Sequence, residues 1–194
     1  EAAEQKAAED EAAVDLSGVA CIGDSVMLGS SGELRKVLPG CIIDAEVSRY
    51  VGGGLDAAKE MAAQGRLGKN VVIALGTNGP IAGYEKYEVQ TRALLEYLGP
   101  DRHIFWVNVY CPELSWQQTN NDYLVSMAKD HPNVTIVDWY GLVSKHPEWL
   151  GGDGLKLLPN ELRALIKSVK KISNNVGAAR SASCLSELPS TLWL

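Results

Sequence analysis

Residues 19–25 read Val-Ala-Cys-Ile-Gly-Asp-Ser, and this stretch sets the interpretation of the whole chain. A short apolar run that ends in a polar, glycine-containing turn is typical of a buried strand followed by a loop. The next segment, 30–38, has the length and apolar spacing of a helix. Together these residues predict a strand, a tight loop and a crossover helix, which is the repeating unit of a parallel sheet.

The same alternation continues along most of the chain. Apolar runs predict five buried strands at 19–22, 41–47, 71–75, 104–109 and 134–137. The segments between and after them predict helices at 30–38, 55–64, 87–98, 120–130 and 159–172. We therefore expect a three-layer α/β/α fold with a flavodoxin-like five-stranded parallel sheet, in the strand order 2-1-3-4-5.

Composition bounds the domain organisation. The chain has 194 residues, 46% of them hydrophobic, and a net charge of -6, which fits one globular domain and excludes a surface built to bind nucleic acid. We expect an Ala/Glu-rich linker at 1–17, a domain at 18–172 and a C-terminal tail at 173–194.

No apolar run is long enough to span a membrane. Cys21, Cys41, Cys111 and Cys184 lack metal-binding spacing, and free thiols are expected.

Polar residues with useful chemistry follow the first and third predicted strands, at the sheet edge where such folds bind ligands. Ser25 is placed to be a nucleophile at a helix N-terminus or that helix's N-cap, and the tripeptide Gly-Asp-Ser alone favours the cap. Asn78, in Gly-Thr-Asn-Gly, is placed to donate to a developing oxyanion. A third block, Asp-Gly-Leu-Lys at 153–156, precedes the last predicted helix.

These three blocks, in this order, resemble those of SGNH hydrolases, most closely the extracellular domains of peptidoglycan O-acetyltransferases. The resemblance covers 19–172. It implies that Ser25 is the nucleophile, that Asn78 belongs to the oxyanion hole and that Asp153 orients the base. It also implies a backbone oxyanion donor at Ser48, where Val-Ser-Arg fits the acetyltransferase pattern although Tyr50 stands in place of the usual glutamine.

Other residues around these blocks have weaker assignments. Asp24, Arg49 and Thr77 are candidate substrate-binding residues, with a structural ion pair as the alternative for Arg49. Residues 52–54, all glycine, are alternative oxyanion donors or simply the start of a helix. Four aromatic residues could stack on sugar rings or complete the core: Trp116, Trp139, Tyr140 and Trp149. For Trp139 the core is favoured.

The chain departs from the family at Lys156, which stands where the family has its catalytic histidine. The ordinary pKa of lysine is about 10.4, so at neutral pH its ammonium group cannot accept the serine proton unless burial lowers that pKa greatly. Asp153 would oppose such a shift. His146 is the nearest substitute, whereas His103 and His131 are predicted at the opposite, amino ends of strands. We therefore expect an impaired site.

The resemblance implies an O-acyltransferase or esterase domain that acts on acetyl esters of cell-wall carbohydrate. Its expected partners are an acetylated carbohydrate or acetyl donor and a membrane acyltransferase domain of the same full-length chain. It implies no metal or organic cofactor, a monomer, and an extracytoplasmic location with a tether to the bacterial membrane. The alternative is an inactive SGNH domain that binds a glycan or a protein.

Overall fold

The computed structural model describes residues 18–146, apart from the side chain of Val37. This part of the chain forms five strands and five helices in alternation. The strands are β1 (Ala20–Gly23), β2 (Ile42–Ala45), β3 (Asn70–Ala74), β4 (His103–Val107) and β5 (Val134–Val137). The helices are α1 (Ser25–Val37), α2 (Val51–Ala63), α3 (Glu85–Leu98), α4 (Gln117–Asp130) and α5 (Trp139–Val143).

The five strands form one parallel sheet in the order β2-β1-β3-β4-β5, which confirms the predicted fold class and strand order. Central strands are buried on both faces, so they consist of short continuous apolar runs rather than alternating patterns. In β1, for example, Cys21 pairs with Ile43 on one side and Val72 on the other. The order places the ends of β2, β1 and β3 side by side.

The helices begin earlier in the sequence than predicted, and α5 was not predicted at all. The largest offset within the described residues is in α1, which begins at Ser25, and α2 also begins early, at Val51. Glycine has poor helix propensity, but the start of α2 needs small residues because a Cβ on Gly54 would lie 2.7 Å from the Leu75 side chain. Gly53 donates its N–H to the Tyr50 carbonyl, so the glycine run starts a helix.

The core consists of apolar side chains between the sheet and its covering helices. Trp106, on β4, is fully buried, and its indole N–H donates to the Leu75 carbonyl at 3.3 Å. Trp139 is 5% exposed, which confirms its predicted core position. Cys21, Cys41 and Cys111 are buried free thiols, as expected. Within residues 18–146, the helices are too short or too polar to cross a membrane.

Several predictions fall outside the described residues. They concern the linker at 1–17, the helix at 159–172, the tail at 173–194, Trp149 and Cys184. The linker, domain and tail boundaries therefore stay predictions.

Candidate functional site

The Gly-Asp-Ser turn joins β1 to α1. Asp24 is the N-cap of α1, since its Oδ1 accepts the N–H of Val26 at 2.9 Å. Ser25 is the first residue inside the helix, so the expectation that it serves as the N-cap is wrong, because the aspartate before it takes that role. A Cβ on Gly23 would lie 2.4 Å from that of Met27, so only glycine allows this sharp entry. Ser25 is therefore partly exposed at the positive end of α1.

Asp24 is buried, with only 1% of its surface exposed. Burial raises the pKa of its carboxyl, and hydrogen bonding by Val26 and Thr77 partly opposes the increase. Its Oδ1 accepts the Val26 N–H, whereas its Oδ2 is buried without a partner of standard hydrogen-bond geometry among the described residues. Asp24 and Thr77 thus contact each other across the ends of β1 and β3, and their predicted contact with substrate stays a prediction.

The loop after β2 carries Ser48 and Arg49. Ser48 is exposed and has φ of 62°, a left-handed conformation that is uncommon for a residue with a side chain. Within residues 18–146 it is the one residue other than glycine with positive φ. Such conformations cost about 1–3 kcal/mol and are concentrated at functional sites. The strain is consistent with the predicted role of its backbone, which stays a prediction.

The Arg49 guanidinium is directed into the protein. Its Nη1 donates to the carbonyl oxygens of Asp44 at 2.8 Å and Gly23 at 3.2 Å. Its Nη2 donates to the carboxylates of Asp44 at 2.6 Å and Glu46 at 3.3 Å. These contacts favour the structural alternative for Arg49 over an anion-binding role. They also fasten the Ser48 loop to the ends of β1 and β2.

Contacts between neighbours bring the three loops of the candidate site together. The Asn78 amide donates to the Arg49 carbonyl at 3.3 Å, directly after Ser48. The N–H of Asp24, next to Ser25, donates to the Ala74 carbonyl at 3.2 Å. The start of α1 with Ser25 and the loops that carry Ser48 and Asn78 therefore meet at the carboxyl edge of the sheet, as a nucleophile and two oxyanion donors at one site would have to.

Asn120 supports this site and was missed from the sequence. It lies on α4, is fully buried, and donates from Nδ2 to the carbonyls of Gly76 at 3.0 Å and Gly79 at 3.1 Å. Its Oδ1 accepts the N–H groups of Ile81 at 2.7 Å and Ala82 at 3.4 Å. The amide thus holds both ends of the loop that carries Asn78. Two adjacent asparagines inside a predicted helix, where asparagine has low propensity, were the available signal.

Asn121 performs the same kind of function one loop further along the sheet. Its Oδ1 accepts the Val109 N–H at 2.8 Å, and its Nδ2 donates to the Val109 carbonyl, also at 2.8 Å. The side chain is 6% exposed. It holds the loop after β4, where no catalytic residue was predicted, and so provides a matched comparison for Asn120.

Two of the remaining candidates lie at the opposite edge of the sheet, and the others stay untested. His103 begins β4 and His131 follows α4 before β5, both at the amino edge of the sheet as predicted. His146 follows α5 and stays an untested candidate. Trp116 and Tyr140 are partly exposed, and their contact with sugar stays a prediction. Asp153 and Lys156 lie outside the described residues, so their roles also stay predictions.

Sequence comparison finds relatives among peptidoglycan O-acetyltransferases, although no family model matches the chain. YrhL of Bacillus subtilis is 36% identical over 147 residues, covering 76% of this chain and 22% of YrhL. The peptidoglycan O-acetyltransferase OatA of Listeria monocytogenes is 30% identical over 159 residues, covering 82% of this chain and 24% of OatA. The chain spans less than a quarter of the length of these relatives.

Solved structures share the fold. The C-terminal catalytic domain of OatA from Streptococcus pneumoniae has a TM-score of 0.71 at 23% identity, covering 84% of this chain and 95% of that domain. The esterase EstA from Pseudoalteromonas has a TM-score of 0.63 at 15% identity, covering 81% of this chain and all of EstA. The order of the strands, the arrangement of the loops after them and the sequence relatives agree. Together they show that the chain contains an SGNH hydrolase-type domain related to that of the peptidoglycan O-acetyltransferases.

Proposed function

We propose that this domain is a serine-dependent acyltransferase or esterase for acetyl groups on cell-wall carbohydrate, and that Lys156 impairs its catalysis. The observation that carries the proposal is the meeting of the Ser25, Ser48 and Asn78 loops, through the contacts of Asp24 with Ala74 and Asn78 with Arg49. The sequence relatives support the substrate class, since OatA of Listeria monocytogenes is an O-acetyltransferase of peptidoglycan.

In the proposed reaction, Ser25 Oγ bonds to the carbonyl carbon of an acetyl ester, and its proton passes to the base at position 156. The negative charge that develops on the carbonyl oxygen is stabilised by the Ser48 backbone N–H and the Asn78 amide, a kind of donor worth about 3–4 kcal/mol each. The C–O bond to the leaving alcohol then breaks, and the alcohol takes the proton from the base. A sugar hydroxyl or water reverses these steps and removes the acetyl group from Ser25.

The positive end of α1 and the asparagine amide are suited to these steps. First-turn N–H groups of a helix favour negative charge, which helps a serine there lose its proton. The Asn78 amide has two N–H groups, and the hydrogen bond from its Nδ2 to the Arg49 carbonyl oxygen is long, at 3.3 Å. It can therefore turn toward an oxyanion at little cost.

The weak point of the site is its base. A protonated lysine cannot accept the serine proton, and Asp153 would stabilise the protonated form. We therefore expect slow turnover at neutral pH. In the full-length protein we place the domain outside the cytoplasm, tethered through a membrane acyltransferase domain, in accord with the greater length of its relatives.

The test is hydrolysis of a small activated acetyl ester by the wild-type chain, Lys156→His and Lys156→Ala, each with and without Ser25→Ala. General-base catalysis contributes about 10²–10⁴-fold, so Lys156→His should raise turnover at pH 7 within that range, and Ser25→Ala should abolish the gain. Thermal unfolding of each variant controls for misfolding.

Two outcomes would contradict this proposal. Robust wild-type turnover at pH 7 that both Lys156 variants lose would show a lysine-dependent enzyme, and its activity should rise with an apparent lysine pKa. Absence of Ser25-dependent turnover in every variant would favour the second candidate, an inactive domain that keeps the cleft for binding. The predicted placement of Lys156 at the histidine position favours this second candidate.

A further inference from the structure

Three tyrosines form a row that begins at the candidate site. Tyr50 directly follows Arg49, and its ring lies against Gly79, where a Cβ would approach its Cε1 within 2.6 Å. Tyr50 and Tyr87 have centroids 6.2 Å apart with ring planes 12° from parallel. Tyr84 continues the row, with its centroid 6.1 Å from that of Tyr87. The row therefore runs from the Ser48 and Asn78 loops to the amino end of α3.

The two outer rings are exposed and the middle ring is anchored. Tyr50 is 49% exposed and Tyr84 is 57% exposed, whereas Tyr87 packs against the core. A single exposed aromatic residue needs no explanation. Exposed rings grouped beside a candidate site, and held by a partly buried neighbour that packs against the core, offer a contact surface to a ligand with apolar faces.

The surroundings of the row favour a neutral, hydroxyl-rich ligand. Glu88 accepts the Gly83 N–H at 2.9 Å and faces Arg92 at 3.9 Å. The Lys86 ammonium lies 5.6 Å from the centre of the Tyr87 ring. Glu88 and Lys86 are thus engaged with the protein, and Glu85 adds an exposed carboxylate beside Tyr84, so the row presents apolar ring faces and phenol hydroxyls instead of the basic cluster that attracts anionic lipid.

We propose that Tyr50, Tyr84 and Tyr87 form a stacking surface for the pyranose rings of a glycan strand whose acetylated sugar occupies the Ser25 site. The apolar C–H face of a sugar packs on an aromatic ring while its hydroxyl groups stay in water or bond to the phenols. The ligand class rests on the proposed function. The two exposed rings provide two stacking positions outside the ester-binding position.

The test is binding of a β-1,4-linked N-acetylglucosamine hexamer to the full chain, measured by isothermal titration calorimetry. Tyr84→Ala should raise the Kd about 3- to 10-fold, the usual loss for one aromatic contact. Tyr84→Trp should preserve the affinity because it keeps a flat ring. The matched control is Tyr97→Ala, which removes a tyrosine that is 39% exposed at the other end of α3 and should leave the Kd unchanged.

Three results would overturn the proposal: no hexamer binding by the wild-type chain, an unchanged Kd in Tyr84→Ala, or an equal loss in Tyr97→Ala. Hexamer binding and Ser25-dependent ester turnover are separate measurements. Tyr84-dependent binding without turnover would refute the proposed catalysis and leave the stacking surface standing. Turnover with a Kd that does not depend on Tyr84 would refute the stacking surface alone.

Discussion

Asn120→Ala removes the buried amide that holds the loop carrying Asn78. The change leaves two carbonyls, at Gly76 and Gly79, and the N–H groups of Ile81 and Ala82 without their partner. A buried polar group left unsatisfied costs about 1–3 kcal/mol. Because water can enter the space vacated by the amide and satisfy part of this set, we expect a loss of about 2–4 kcal/mol in the free energy of unfolding. Such a loss is a large fraction of the usual 5–15 kcal/mol.

The assay combines urea unfolding with amide hydrogen exchange, and Asn121→Ala is the control. Asn121 lies next to Asn120 on α4, and its side chain bonds to the N–H and carbonyl of Val109. We therefore expect Asn121→Ala to lower the free energy of unfolding by less, about 1–3 kcal/mol. Exchange at the Ile81 amide should accelerate in Asn120→Ala beyond its loss of global stability, and it should not do so in Asn121→Ala.

Turnover gives a second, independent measurement. In a chain that carries Lys156→His, Asn120→Ala should lower kcat by about 10- to 100-fold, because a displacement of about 1 Å at a positioned group has effects of this size. KM should change little, since Asn120 does not face the substrate. An unfolding free energy within about 0.5 kcal/mol of wild type, together with unchanged protection of Ile81, would refute the assigned role.

Three further predictions concern individual side chains. Burial raises the pKa of Asp24, so the folded chain binds the carboxyl proton more tightly than the unfolded chain and loses stability as pH rises. Asp24→Asn should therefore raise Tm most at neutral pH. Thermal melts should show this gain shrinking as pH falls toward the unfolded carboxyl pKa of about 3.9. Cys21→Ala should raise the pH midpoint for ionisation of Cys41, because a hydrogen bond from Cys21 lowers the Cys41 pKa. Since the thiol is buried, the midpoint is followed by NMR of a chain labelled at cysteine, and a lower midpoint would contradict this. Gly54→Ala should lower the free energy of unfolding by about 1–3 kcal/mol because the new Cβ crowds the Leu75 side chain, and the higher helix propensity of alanine should offset part of that loss. A variant that urea unfolding shows to be stabilised would refute the crowding.

The sheet could be predicted from the sequence because its strands are short apolar runs whose burial requires helices on both faces. The start of α2 could not, since tertiary packing around Gly54 overrides the low helix propensity of glycine. Capping was misassigned to Ser25 because Asp24 and Ser25 are both good caps, and only the backbone geometry shows which one precedes the helix. Asn120 was missed because its role lies in contacts with residues about forty positions away.

The contacts that support the candidate site join elements within residues 18–146. Arg49 joins the ends of β1 and β2, which fixes the loop that holds Ser48 in its left-handed conformation. Asn120 holds the loop of Asn78 from the other side. Since these side chains bond to backbone groups near the oxyanion donors, a change from lysine to histidine at 156 should alter proton transfer and leave the donors in place. A gain of Ser25-dependent turnover at constant stability would therefore place the defect in the base, whereas no gain in an equally stable variant would mean that the base alone does not limit this site.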